Sequence, residues 1–139
     1  MACLRTYAGL CIYSPDLSPD SITSALMIQP TRTVDRDPES RRPGQRKHNF
    51  WLWTTDGLVE STDHLDHMRR IFEVLEGKSE ALDKIRTKGS TTTISIYWDS
   101  NGQGGPSLDI ATIAELHRYG LDIWWDIYFV SDDDAENGA

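Results

Sequence analysis

Cysteine is scarce in this chain. Its 139 residues include two cysteines, Cys3 and Cys11. They stand eight positions apart in a segment that reads as extended, a separation of about 26 Å at ~3.3 Å per residue. A disulfide needs Cα atoms within about 7 Å of each other. We therefore predict two free thiols, which are typical of a reducing compartment.

Long apolar runs are missing as well. No stretch of the sequence approaches the ~20 apolar residues of a membrane span, and the N-terminus lacks the basic, apolar and small-residue pattern of a secretory signal. These absences predict a cytoplasmic protein with no membrane partner. A chain of 139 residues buries roughly two-thirds of its unfolded surface. We expect one domain over residues 1–130, followed by an acidic, disordered tail at 131–139.

Positive charge is in deficit. The 14 lysines and arginines are outnumbered by 22 aspartates and glutamates, so the net charge is -8, which argues against nucleic acid as a partner. Residues 30–48 are the exception, because six cationic side chains against three anionic ones give +3 and leave -11 for the remainder. We call residues 35–48 the basic loop. Its prolines and charges leave little to bury, so we expect it to be mobile.

The strongest strand pattern is at residues 121–130 (LDIWWDIYFV), and the rest of the chain is interpreted around it. One face of this predicted strand holds Leu121, Ile123, Trp125, Ile127 and Phe129. The other holds Asp122, Trp124, Asp126, Tyr128 and Val130. Period-two alternation predicts that the first face lies wholly in the core. The second is either covered by another layer or available for contact.

Further strands are predicted at residues 5–13, 31–34 (short, at an edge), 50–55 and 91–98. Predicted helices begin at Ser18, at Ser61 or Thr62, and at Asp109, with a further helical stretch around 81–85, and Gly120 ends the last one. The order predicts an α+β fold: a ferredoxin-like βαββαβ core with an appended helix and strand, and a mixed sheet with helices mainly on one face.

Four segments in this order, LSPDSITSALMIQPTR, WLWTT, ISIYWDSNGQGGPSLD and GLDIWWDIYF, resemble the bacterial domain of unknown function 4279 (DUF4279) family. The resemblance covers about residues 6–130. It implies a compact α+β domain and carries no activity or catalytic residue, because the family is uncharacterised. Its members often have a shorter loop where this chain has Asp35 to Lys47, so that loop is expected to be particular to this protein.

The acidic and histidine pairs do not predict chemistry. Asp122 and Asp126 are about 13 Å apart along a strand, beyond the ~5 to 9.5 Å of paired glycosidase carboxylates. His64 and His67 have helical spacing for a metal but lack a third ligand. His67 falls opposite Leu65, so we predict a solvated face for it.

Phosphate-binding and nucleophile motifs are also absent. Gly102, Gly104 and Gly105 precede Pro106 without a GK[ST] sequence, which favours a turn over a phosphate loop. Cys11 has no evident histidine partner. We therefore predict no catalytic residue, no metal and no cofactor.

The residues that stand out are aromatic. If the strands bury Ile94, Ile96, Ile123 and Ile127, six rings converge on one sheet face: Trp51, Trp53, Trp124, Tyr128, Tyr97 and Tyr13. Since large rings are mostly buried, we predict that two or three remain accessible.

Two functions follow as hypotheses. The first is a non-enzymatic binding protein of the immunity or inhibitor type, a monomer or weak homodimer. It would bind a partner protein through an acidic-aromatic face of Trp51, Trp53, Trp124, Tyr128, Asp122 and Asp126. The alternative is a domain for a small anion or nucleotide, with an enzymatic role open, in which Trp51 or Trp124 stacks on the ligand and Arg41, Arg42 or Arg46 binds its charge.

Overall fold

The core lies between one sheet and one layer of helices. The computed structural model describes residues 3–129, so the predicted tail at 131–139 lies outside the described residues. The elements are β1 (Cys3–Ser14), α1 (Pro19–Leu26), β2 (Arg32–Val34), α2 (Pro43–Lys47), β3 (Asn49–Thr54), α3 (His64–Val74), α4 (Ser79–Arg86), β4 (Thr91–Ser100), α5 (Ile110–Tyr119) and β5 (Asp122–Phe129). Within this range no helix is both long enough and apolar enough to cross a membrane.

The five strands form one sheet in the order β2-β3-β1-β4-β5. The first four strands pair antiparallel, and β5 pairs parallel to β4. The parallel pair follows from the chain, because α5 carries it back across the sheet between β4 and β5. The predicted α+β class and mixed sheet are confirmed.

The central strand β1 supplies the middle of the core. Its alternate residues Ala8, Leu10 and Ile12 are buried, as the period-two pattern predicts. They belong to one apolar cluster with side chains from α1, α3, α4 and α5. These four helices therefore cover the same face of the sheet, as predicted. Cys3 and Cys11 are both free thiols and both buried, which confirms that prediction.

Most helix ends follow the capping residues that the sequence indicates. Ser18 Oγ accepts from the Ser21 amide, and Asp109 caps α5 in the same way at Thr112. The predicted start of α3 at Ser61 or Thr62 is wrong. Asp63 is the N-cap, and its Oδ1 accepts from the Leu65 amide at 2.9 Å. The Ser61 hydroxyl instead accepts from the Asp63 amide and positions the cap.

Strand β5 is at the edge of the sheet, which corrects the prediction that one of its faces lies wholly in the core. Leu121 is buried just before it, and Ile123 and Trp125 pack partly against the core. Ile127 and Phe129 are 38% and 79% exposed. The helix layer covers the beginning of the strand and does not extend over its end.

The basic loop contains a short helix, α2, with no buried residue. Hydrogen bonds within the loop hold it: the Asp37 amide donates to Gln45 O at 2.8 Å, and Arg36 Nε donates to Arg46 O at 3.0 Å. The Arg36 amide also donates to Asn49 Oδ1 at 2.6 Å, which ties the loop to β3. The mobility of this loop stays a prediction.

Candidate functional site

One face of the sheet is left uncovered by α1, α3, α4 and α5, and we call it the open face. Side chains alternate along each strand, so the pairing register assigns its members. They are Tyr7, Gly9, Cys11 and Tyr13 of β1; Arg32 and Val34 of β2; Phe50, Leu52 and Thr54 of β3; Thr91, Thr93, Ser95, Tyr97 and Asp99 of β4; and Asp122, Trp124, Asp126 and Tyr128 of β5.

Two of the predicted site tryptophans are not on the open face. Trp51 pairs with Ile12 and Trp53 with Leu10, so both rings point toward the helices. Trp51 is fully buried, and its Nε1 donates to Thr23 Oγ1 at 3.0 Å. Their assignment to the binding face is wrong, because both faces of β3 are apolar and only its register against β1 decides which face is inside.

The four predicted residues of β5 do lie on the open face. Trp124 is 65% exposed and Tyr128 is 50% exposed, with Asp122 and Asp126 alternating between them. Tyr13 is 43% exposed. Three of the six candidate rings are thus largely accessible, as predicted.

A stack of tyrosines crosses the open face, and sequence reasoning missed it. We call Tyr7, Tyr97 and Tyr128 the tyrosine ladder. The Tyr7 and Tyr97 rings are parallel within 6° with centroids 4.6 Å apart, and Tyr128 lies 5.3 Å from Tyr97. The Arg5 guanidinium lies 5.3 Å from the centre of the Tyr7 ring and pairs with Asp56. The spacing of tyrosines in β1 and β4 is visible in the sequence, but their register is not.

Neighbouring carboxylates raise the pKa values of two ladder tyrosines, Tyr97 and Tyr128. Tyr97 donates to Asp99 Oδ1 at 2.7 Å, and this hydrogen bond raises the pKa of Tyr97 to about 12. A hydrogen bond to Asp126 likewise raises the pKa of Tyr128. Both effects arise because ionised phenol would lose its donor and face a negative charge. The ladder is therefore an aromatic surface with the Arg5 guanidinium at its Tyr7 end and carboxylates beside Tyr97 and Tyr128.

A groove of about 480 Å³ runs beside the ladder, and we call it the central groove. Its walls include Tyr13 and Trp124, and three hydroxyl side chains of β4 lie along it (Thr91, Thr93 and Ser95). Cys11 also lines it, but burial raises the pKa of this thiol to about 11. A thiol that stays protonated at neutral pH is a poor nucleophile, so Cys11 is not activated for attack in this groove.

A second depression of about 300 Å³, the basic pocket, opens beside the first one at the β2 end of the open face. Its lining is Tyr13, Arg32, Val34, Arg42, Gly44, Gln45, His48 and Phe50. Of the three loop arginines predicted to bind anions, Arg42 contributes to this pocket. Arg41 and Arg46 are exposed and outside its lining.

The histidines of α3 are structural, which corrects the prediction of a solvated face. His67 is buried, with Nδ1 2.6 Å from Thr55 Oγ1 and Nε2 2.8 Å from Ser61 O. His64 is also buried, and its Nε2 lies 2.6 Å from Ser107 O. The buried face of α3 consists of residues 64, 67, 68, 71 and 72. Helical spacing counted from His64, and not from Leu65, therefore predicts which residues of α3 are buried. Within residues 3–129 no three potential metal ligands cluster.

The fold and the open face define an α+β protein with a five-stranded mixed sheet that its helices cover on one side. The chain belongs to the family described as Domain of unknown function (DUF4279), whose model matches residues 5–130. No curated protein and no solved structure matches the chain.

Proposed function

We propose that this is a non-enzymatic binding protein, of the immunity or inhibitor type, that receives a basic partner protein on the open face at β5. The observation that carries the proposal is the exposure of Trp124 and Tyr128 on an edge strand. Exposed apolar side chains grouped in this way mark interaction surfaces. Tyrosine and tryptophan are also the residue types that contribute most to binding at interfaces.

The edge position of β5 supplies a second kind of contact. The sheet of the described residues has β5 at its end, paired with β4 alone. The backbone groups on the other side of an edge strand are able to pair with an incoming strand. A partner that adds a strand there would gain backbone hydrogen bonds, while its side chains contact the exposed rings.

Charge on the open face selects the partner. Asp122 and Asp126 alternate with the exposed rings, and Asp99 lies beside Tyr128. Such carboxylates attract a basic surface and speed its association. In an edge strand they also disfavour pairing between two copies of the same acidic edge, in keeping with a monomer or weak homodimer in the cytoplasm.

We also infer a ferredoxin-like core for the domain. The elements β1, α1, β2, β3, α3 and β4 follow the βαββαβ order, and the antiparallel neighbours β2-β3-β1-β4 support this assignment. In this arrangement α5 and β5 are the appended pair. The proposed binding surface therefore lies on the element added to the core.

Affinity capture from the native host, at low and at physiological salt, tests the partner proposal. The protein and a Trp124→Ser/Tyr128→Ser variant serve as baits. The control is Ile110→Ser/Ile113→Ser, which removes two exposed apolar side chains from α5. We expect one partner to be captured by wild type and control, and to bind the β5 variant at least about tenfold more weakly.

The salt dependence of capture distinguishes electrostatic attraction from the direct contacts of the exposed rings. Higher salt should weaken capture of a basic partner by screening Asp122 and Asp126. The proposal is wrong if no protein is captured at either salt concentration, or if the β5 variant captures the partner as well as the control does.

A further inference from the structure

We infer that the basic pocket is a separate binding site for a small planar aromatic anion, such as an aryl carboxylate or aryl phosphate. This site is distinct from the proposed partner surface, because its lining comes from β1, β2, β3 and the basic loop, whereas the partner surface is on β5. Its volume of about 300 Å³ is at the lower end of ligand pockets, which suits a ligand of one or two rings.

The floor of the pocket is apolar and aromatic. Val34, Phe50 and Tyr13 are direct neighbours across β2, β3 and β1. The Tyr13 and Phe50 rings are 5.0 Å apart, and His48 meets Tyr13 edge-on at 6.5 Å. A planar ring placed on this floor gains both apolar burial and aromatic contact.

Hydrogen bonds within the basic loop position one wall of the pocket in the absence of a ligand. Gly44 and Gln45 of α2 form part of it. The Asp37 amide donates to Gln45 O, and the Ser40 hydroxyl donates to Gln45 Oε1 at 3.0 Å. Because these bonds hold the Gln45 carbonyl and side chain in place, a ligand loses less free energy to ordering this residue.

The charge of the pocket specifies an anion. Arg32 and Arg42 line it, and none of its eight lining residues is acidic. Among the described residues every arginine outside the 30–48 segment forms a salt bridge: Arg5, Arg69, Arg70, Arg86 and Arg118. None of the five arginines within the 30–48 segment does so among the described residues, and two of these five, Arg32 and Arg42, line the pocket. Guanidinium groups without a carboxylate partner, next to an apolar floor, suit a carboxylate or phosphate bound in bidentate fashion.

Calorimetric titration of the full chain with phenyl phosphate and with 2-naphthoate tests the site. The pocket variant is Arg32→Gln/Arg42→Gln. The matched control is Arg41→Gln/Arg46→Gln, which removes the same charge from exposed positions outside the lining. We expect saturable binding to wild type, a loss of at least about tenfold in the pocket variant, and a change of less than about threefold in the control.

Two further probes separate the ring from the charge. Inorganic phosphate and benzyl alcohol, which each carry half of the proposed ligand chemistry, should both bind at least about tenfold more weakly than phenyl phosphate. Absence of saturable binding, equal losses in the two arginine variants, or equal affinity for inorganic phosphate would each overturn the inference. The Trp124→Ser/Tyr128→Ser variant should bind phenyl phosphate like wild type, which keeps this result distinct from the partner test.

Discussion

At the scale of the residue, His67 joins α3 to the end of β3. Its two ring nitrogens lie within hydrogen-bonding distance of Thr55 Oγ1 and Ser61 O. His67→Ala leaves those buried partners unsatisfied and opens a cavity, so we expect unfolding to require about 2 to 4 kcal/mol less free energy. Urea unfolding measures the loss.

The matched control is His117→Ala. His117 is exposed in the last turn of α5, where a change should cost at most about 1 kcal/mol. If both variants lose the same stability, His67 is not the structural link that its contacts indicate.

At the scale of the element, the junction between α5 and β5 depends on Gly120. This residue has φ 66°, and a Cβ there would lie 2.6 Å from Arg86 Cζ. Arg86 Nη1 donates to Tyr119 O at 2.7 Å and to Thr92 Oγ1 at 3.1 Å, so one side chain connects α4, α5 and β4.

Gly120→Ala should therefore both strain the backbone and displace the Arg86 guanidinium. We expect the free energy of unfolding to fall by about 1 to 3 kcal/mol. Gly102→Ala is the control, because Gly102 is in an exposed turn with open space at its Cβ position, and it should change stability by less than about 1 kcal/mol. Equal effects of the two substitutions in urea unfolding would contradict this account of the junction.

At the scale of the whole molecule, the basic loop should be separable from the fold. No residue between Asp37 and Arg46 is buried, and closing a loop costs free energy that varies only logarithmically with its length. Replacing residues 37–46 by a short Gly/Ser linker should leave unfolding cooperative and lower stability by less than about 3 kcal/mol. It should also abolish the basic pocket.

Urea unfolding with its m-value and the calorimetric titration measure these two effects together. A larger loss of stability, or a transition that is no longer cooperative, would show that the loop packs as part of the core.

Local chemistry is what the sequence by itself determined. The N-caps at Ser18 and Asp109 and the end of α5 at Gly120 depend on residues only a few positions away. Such helix ends can therefore be predicted from the local sequence alone. The alternation in β1 also predicts its buried face correctly, because the residues that point toward the helices are apolar. The central position of β1 in the sheet buries all of them. The α+β class and the single helix layer follow from these local signals.

Register and position in the sheet were decided only by the tertiary structure. Trp51 and Phe50 are both large and apolar, so the alternation in β3 does not indicate which of its two faces is buried. The pairing of Trp51 with Ile12 of β1 places Trp51 on the buried face. The end of β5 reads as a core strand, but its place at the edge leaves Ile127 and Phe129 exposed. The basic pocket joins side chains of β1, β2 and β3 to α2. No local sequence pattern predicts this pocket, because its side chains come together only when the strands pair in this order and register.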